Sequence, residues 1–337
     1  MRVAQVMAGA AHGGAELFFE RLCIGLHQAG ETVLPVIRGH PGRKARLLAA
    51  GLEPAELGFG GPLDILTTPR LLRILEQFAP DVVVSWMNRA TSHVPPGNWV
   101  HVGRLGAYYD LRHYRACHHL VGNTQGIVAW LRANGWPPAR THYLPNFVAD
   151  FADAEPSRGL PGHGPILLGL GRLHTDKGFD TLLRALPRLP GARLLIAGAG
   201  PEGARLRHLA KTQGVADRTW FLGWRGDVAG LLAACDVFVC SSRVEPLGNM
   251  VLEAWSARRP IVAADAAGPA ELIRNEQDGL LVPREQPEAL AEAIGRLLRD
   301  AGLAASLAQR GRNRFAQEFA PAPVTERWLQ FLEEVAR

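Results

Sequence analysis

Residues 165–186 read PILLGLGRLHTDKGFDTLLRAL. An unbroken apolar run ends at Gly171, a loop carrying Arg172 and Lys177 follows, and beyond Gly178 apolar residues recur at helical spacing. A strand without polar alternation needs cover on both faces, which is the situation of a parallel sheet between helices. The helix directly after it supplies the crossover that parallel pairing requires. This stretch therefore reads as one strand–loop–helix unit of a doubly wound sheet.

The unit recurs along the chain. Downstream, ARLLIAGAG, TWFLGW, DVFVCSS, PIVAAD and GLLVP read as further strands, and residues from Pro287 onward are helical almost throughout. Upstream the strand candidates are RVAQVMA, TVLPVI, DVVVSWM, WVHVGR, HLVGN and THYLP, with helical patterns such as ELFFERLCIGLHQAG and TPRLLRILEQFAP between them. The intervening FVADFADAEPSRGLPGHG is rich in Pro, Gly, Asp and Ser and has little periodicity. The expected fold is α/β: two tandem Rossmann-like doubly wound domains whose strand carboxyl ends face a central cleft. The first domain is expected over 1–147, a linker over 148–164 and the second domain over 165–318. A last helix over 319–337 is expected to pack back toward the first domain.

At 337 residues with 47% hydrophobic and 20% charged side chains, the chain can fill two cores, and disorder is excluded. Cys23, Cys117, Cys235 and Cys240 form no CxxC pair and sit in apolar segments, which fits buried reduced thiols better than disulfides or zinc. The N-terminal apolar run is too short for a signal peptide, and LLAACDVFVC is about half of the roughly 20 residues a membrane span needs. The expected location is the cytoplasm. The net charge of +5 is concentrated locally in RGHPGRKAR, where Arg38, Arg43, Lys44 and Arg46 meet no acid. That patch is compatible with a solvated loop. A sharper, second reading is a peripheral contact to an anionic inner-membrane surface or a phosphorylated acceptor. No aromatic or zinc-finger pattern supports nucleic acid.

Four pieces fall at the expected carboxyl ends of the later strands. Arg172 and Lys177 lie at a strand-to-helix turn, where two cations and unpaired helix N–H groups suit a diphosphate. IAGAGPEGARL contains GxGxxG (Gly198, Gly200, Gly203), but Asp217 precedes the next strand, where a dinucleotide fold needs an acid at its end. The segment reads as a tight turn near a nucleotide. FLGW ends in Trp224, a base-edge contact or an ordinary rim aromatic. EPLGNMVLEA sets Glu245 and Glu253 eight positions apart, with a helix expected to begin near Gly248. Glu253, among apolar neighbours, needs a partner to offset burial. A ribose diol, donating two hydroxyls to one carboxylate, is one, and Arg258 or Arg259 is another.

Together, GGAE (Gly13–Glu16), GRLHTDKGFD, IAGAGP, FLGW, SSRVEPLGNMVLEA, PIVAADAAGPAELI and DGLLVP resemble the retaining GT-B glycosyltransferases of the large GT4 family. The resemblance implies donor-sugar contact for Glu245, ribose contact for Glu253 and diphosphate contact for Arg172 and Lys177. Gly14, Gly198, Trp224, Leu247, Gly248 and Asn249 complete the implied donor site. Many relatives carry a histidine after the fourth strand; here Trp86, Met87 and Asn88 stand there, and His93 lies further on. GRLGAYYDLRHYRACHHLVGNTQGI resembles a branch that builds lipopolysaccharide core, which implies acceptor-side roles for Asn88, Arg104, Tyr108 and Tyr109. The implied reaction moves a hexose from a nucleoside diphosphate sugar to a lipid-linked glycan, with retention and with neither metal nor cofactor. A nucleotide-sugar epimerase and a non-catalytic sugar-nucleotide or glycan binder are the alternatives.

Overall fold

The computed structural model describes residues 1–10, 13–60 and 64–337. The chain divides into two compact units: Met1–Phe147 with Pro321–Arg337, and Val148–Ala320.

In the first unit, β1 (Arg2–Met7), β2 (Thr32–Arg38), β3 (Ala55–Leu57), β4 (Val82–Trp86), β5 (Val100–Leu105), β6 (His119–Gly122) and β7 (Thr141–Tyr143) form one parallel sheet in the order β3-β2-β1-β4-β5-β6-β7. The order reverses between β1 and β4. Met7 is paired with both Ile37 and Trp86, so the loops after β1, β2 and β4 leave the same edge of the sheet. Val3 and Met7 enter one core while Ala4 and Val6 enter the other, which explains the lack of polar alternation. The three-residue β3, inside GLEPAELGF, is too short to carry a sequence pattern.

In the second unit, β8 (Ile166–Leu170), β9 (Arg193–Ala197), β10 (Thr219–Gly223), β11 (Val237–Cys240), β12 (Ile261–Ala264) and β13 (Leu280–Val282) pair in the order β10-β9-β8-β11-β12-β13. Here too every pairing is parallel. Along β8 and β9, Leu167, Leu194 and Ile196 face one core and Leu168, Leu195 and Ala197 the other. The switch point lies between β8 and β11.

Residues 148–164, expected as a linker, are instead an anchored part of the second unit. Val148 is fully buried in its core, Asp150 takes a two-pronged ion pair from Arg312 at 2.6 and 2.7 Å, and Ser157 bonds Asp227 and the Gly230 carbonyl. Arg193 gathers the carbonyls of Leu160, Pro161, Gly162 and Gly164. Hydrogen bonding, rather than apolar periodicity, orders this coil. The last helix, Pro321–Ala336, belongs to the first unit, burying Val324, Trp328, Phe331 and Leu332 in the core that holds Phe18 and Phe147.

The basic patch of the sequence is largely neutralised. Arg43, in the helix Pro41–Ala49, is fully buried and donates to Glu20 at 3.1 Å and to the Ala10 carbonyl at 2.7 Å. Arg46 binds the same Glu20 at 2.6 Å, and Lys44 pairs with Glu56. The acids come from other elements, 12 to 26 positions away in the chain, so local composition could not reveal them. Of the four cations only Arg38 has no side-chain partner among the described residues. All four cysteines are buried and unpaired.

On β5, His101 is buried, with Nε2 at 2.8 Å from the hydroxyl of Ser85 on neighbouring β4. Burial, aided by the neighbouring His118, pushes its pKa down to about 4. A histidine neutral in the fold but protonated in the unfolded chain contributes stability that is complete above about pH 6.5 and lost as pH falls toward 4. The fold is therefore expected to lose about 3 kcal/mol from this group between pH 7 and pH 4. Urea titrations across that range should show a flatter profile for His101→Gln than for the parent.

Candidate functional site

Two loops at the switch point of the second unit build one surface. After β8, Gly171 and Arg172 lead into a short 3-10 turn, Thr175–Lys177, and Gly178 in the left-handed region (φ 60°) starts the helix Phe179–Ala185. After β11, residues 241–248 run to Gly248, also left-handed (φ 82°), and the helix Asn249–Ser256 begins. The loops are zipped together. The amides of Arg243 and Val244 both donate to the Asp176 carbonyl, at 2.7 and 3.1 Å, and the Ser241 hydroxyl donates to the Lys177 carbonyl at 3.0 Å. A β-carbon on Gly178 would lie 2.0 Å from the Ser241 carbonyl oxygen, so only glycine allows this approach.

Arg243 fastens the junction from its side chain. It binds Asp180 through two nitrogens at 2.8 and 2.9 Å, the Thr175 carbonyl at 2.9 Å and Glu285 at 2.7 Å. Burial by itself would raise the Asp180 pKa, but Arg243 and Arg184 outweigh it and hold the carboxyl at about 2. Sequence reading missed Arg243 and Asp180, because their 63-residue separation gives no local signal.

The consequence is a contact between two sequence-predicted residues. Lys177 Nζ reaches Glu245 Oε2 at 2.5 Å, with 23% and 12% of the side chains exposed. The Lys177 stem lies against Gly171, and Arg172, the next residue, is exposed with no side-chain partner among the described residues. The start of the helix Ala267–Leu272 buttresses the pair: Gly268 donates to the Glu245 carbonyl at 2.8 Å and leaves room for buried Leu247. Asn249 opens the eight-residue helix, and Glu253, half-buried, lies one turn further on. Cation, carboxylate and helix start thus stand on adjoining backbone segments at one sheet edge.

Two of the GxGxxG glycines are explained by packing. A β-carbon on Gly198 would meet the Gly171 carbonyl at 1.9 Å, and one on Gly200 the Leu173 carbonyl at 2.4 Å. They let the turn after β9 seat against the loop after β8. Asp217 lies in the 3-10 turn before β10, not at that strand's carboxyl end. Trp224 follows β10 with 76% of its surface exposed.

Residues 164–300 match the family described as Glycosyl transferases group 1. The chain is 34% identical to the lipopolysaccharide core biosynthesis glycosyltransferase LpsE of Rhizobium meliloti, covering 95% of this chain and 96% of that protein. It is 32% identical to LpsD of the same organism over 99% and 98%. The chain belongs to the group 1 glycosyltransferases. The glycosyltransferase also resembles a solved Rickettsia africae glycosyltransferase, with a TM-score of 0.88 at 18% identity over 100% of this chain and 98% of the other. Anabaena HepE, solved in complex with UDP and glucose, gives 0.82 at 19% identity over 98% and 99%. These likenesses establish the GT-B fold class, in which each of the two α/β units carries its own parallel sheet.

In the first unit of the glycosyltransferase, Gly14 is exposed at the start of the helix Gly14–Gln28, and Asn88 lines a pocket at the ends of β1 and β4. Tyr108 is 55% exposed, its ring edge-on to Trp130, and Tyr109 lines the pocket. Arg104 departs from its expected place on an acceptor surface. It is fully buried, with its guanidinium 4.6 Å from the Trp86 ring centre and bonded to Asn146. Placed on β5 inside the sheet, it points into the packed layer and cannot touch an acceptor directly. His93 ends the helix Met87–His93, bonds Thr68 at 3.0 Å and packs edge-on against Phe59, a structural role.

Proposed function

We propose that the enzyme moves a hexose from a nucleoside diphosphate sugar to a glycan acceptor of lipopolysaccharide core or a related cell-surface polysaccharide, retaining anomeric configuration and using no metal. The observation that carries this reading is the 2.5 Å contact between Lys177 and Glu245 beside the start of the helix Asn249–Ser256. A cation, a carboxylate and the positive end of a helix on one edge match the needs of an activated sugar: charge for the diphosphate and an oriented acceptor for sugar hydroxyls. LpsE and LpsD, similar over nearly their full length, bear names that place them in lipopolysaccharide core biosynthesis.

In this reading the bond between the anomeric carbon and the diphosphate breaks as charge builds on the leaving oxygen. Lys177, Arg172 and the helix start stabilise that charge from fixed positions, the task that a divalent metal performs elsewhere. Glu253 accepts the ribose hydroxyls, and Glu245 orients the donor sugar beside Lys177. The acceptor hydroxyl attacks from the leaving group's face and passes its proton to the departing phosphate. In this reading the enzyme works in the cytoplasm. No helix among the described residues is long and apolar enough to cross a membrane, and the neutralised patch at Arg43, Lys44 and Arg46 leaves no cluster of free cations there for lipid.

A thermal-shift panel of UDP, GDP and ADP tests the donor assignment. One base should raise the melting temperature by several degrees, because a ligand at a hundred times its Kd adds about 2.7 kcal/mol. Transfer from the matching sugar nucleotide should persist in EDTA. Silence toward all three nucleotides, or a strict requirement for added Mn²⁺, would overturn the reading.

A further inference from the structure

At the switch point of the first sheet, the ends of β1 and β4 open into a pocket of about 370 Å³. Its walls include Glu16, Arg38, Trp86, Asn88, Arg89 and Tyr109. The backbone bends sharply to make it: Met87, at the junction of β4 and its helix, adopts a left-handed conformation (φ 61°) uncommon for a side chain of its size. That turn brings Asn88 to the wall, where its Oδ1 is buried with no hydrogen-bond partner among the described residues.

The charges around the pocket do not balance. Glu16 turns toward the backbone, accepting from the Ala10 amide at 2.9 Å and lying so close to Gly9 and Gly13 that a β-carbon on either would displace its carboxylate. Glu20, behind the wall, is shared by Arg43 and Arg46. Among the described residues Arg38 is exposed without a side-chain partner, and Arg89 makes only a 3.5 Å approach to the Phe59 carbonyl. Two further guanidiniums are fully buried against wall residues. Among the described residues, Arg104 lies over Trp86 with Nε and Nη1 unpartnered, and Arg43, bonded to the Ala10 carbonyl, leaves Nη1 unpartnered. Five arginines therefore stand against two carboxylates, and three of their buried nitrogens have no acceptor among the described residues. Buried guanidiniums without full pairing are costly, and an oxyanion nearby offsets that cost. Arg38 and Arg89, both exposed and without a carboxylate partner among the described residues, can fork onto such a group.

We propose that this pocket recognises an oxyanion, a phosphate or a carboxylate, carried by the acceptor glycan. The proposal rests on the transferase reading above and adds the chemical class of acceptor it selects. The buried arginines set the field, the two exposed ones grip the anion, and the Asn88 amide meets an adjoining hydroxyl.

The test is calorimetry on the full chain with glucose 6-phosphate, glucuronate and glucose as probes. At least one of the two anions should bind about tenfold or more tightly than glucose, the scale of one or two charge-assisted hydrogen bonds. Which anion wins separates phosphate from carboxylate. Arg89→Gln and Arg38→Gln should each erase most of that preference while leaving UDP, GDP and ADP affinities unchanged. Arg188→Gln, in the second unit, should leave the preference intact and so serves as the net-charge control. Equal binding of glucose and both anions, no binding of either anion, or equal loss in the control overturns the proposal. So does a parallel loss of nucleotide affinity in the Arg38 and Arg89 variants, which would assign the pocket to the donor's phosphates. Because the sugar probes need no nucleotide, failure of the donor assignment would show separately, as silence in the nucleotide panel alone.

Discussion

Lys177→Ala is expected to lower turnover by about two to three orders of magnitude, the usual cost of removing one preorganised group from a developing oxyanion. Its ammonium touches Glu245 at 2.5 Å, and its stem is braced on Gly171, so its position is set before any substrate arrives. A group held in this way needs no reorganisation when charge appears on the diphosphate. The loss should therefore fall on kcat far more than on the donor KM. Steady-state kinetics with the sugar nucleotide chosen by thermal shift would measure the split. A KM that rises with kcat unchanged would mean that Lys177 contributes only uniform binding, and the electrostatic role assigned to it would be wrong.

Glu253→Ala should act on the other parameter. Losing two hydroxyl-to-carboxylate hydrogen bonds is worth about 2–4 kcal/mol, a decrease in nucleotide affinity on the order of 30-fold to 1000-fold. The sharper form of the experiment adds a 2′-deoxy nucleoside diphosphate. The parent should lose affinity for it, whereas Glu253→Ala, already lacking the acceptor, should discriminate little between the two nucleotides. Glu253 sits half-buried on a helix that packs Val251, Leu252 and Trp255 into the core. A melting curve must therefore show the variant folded. Parent-like affinity in a folded variant would remove the ribose contact from the reading.

Much of the fold could be read directly. Each long apolar run named as a strand lies in one of the two sheets, because a strand covered on both faces leaves the same continuous pattern wherever it occurs. The helix beginning at Asn249 was equally legible, since Pro246 and Gly248 punctuate the chain just before it. β3 was not, being three residues long. The stretch 148–164 looked like a linker for a similar reason: it is ordered by Arg193 and Arg312 reaching carbonyls and a carboxylate, and such bonds have no period. Likewise the basic patch looked free because Glu20 and Glu56 come to it from other elements.

By itself, the amino-acid sequence determined the two-sheet α/β architecture, the order of its elements and the residue types offered at the strand ends, since these depend on local periodicity and on glycine and proline punctuation. Only the tertiary structure decided which of those residues meet. Lys177 and Glu245 are 68 positions apart, Asp180 and Arg243 are 63, and Arg104 vanished into the layer behind Trp86. Charge pairing and burial are set by distances in space, and parallel crossovers bring strand ends together across spans over which no local pattern extends.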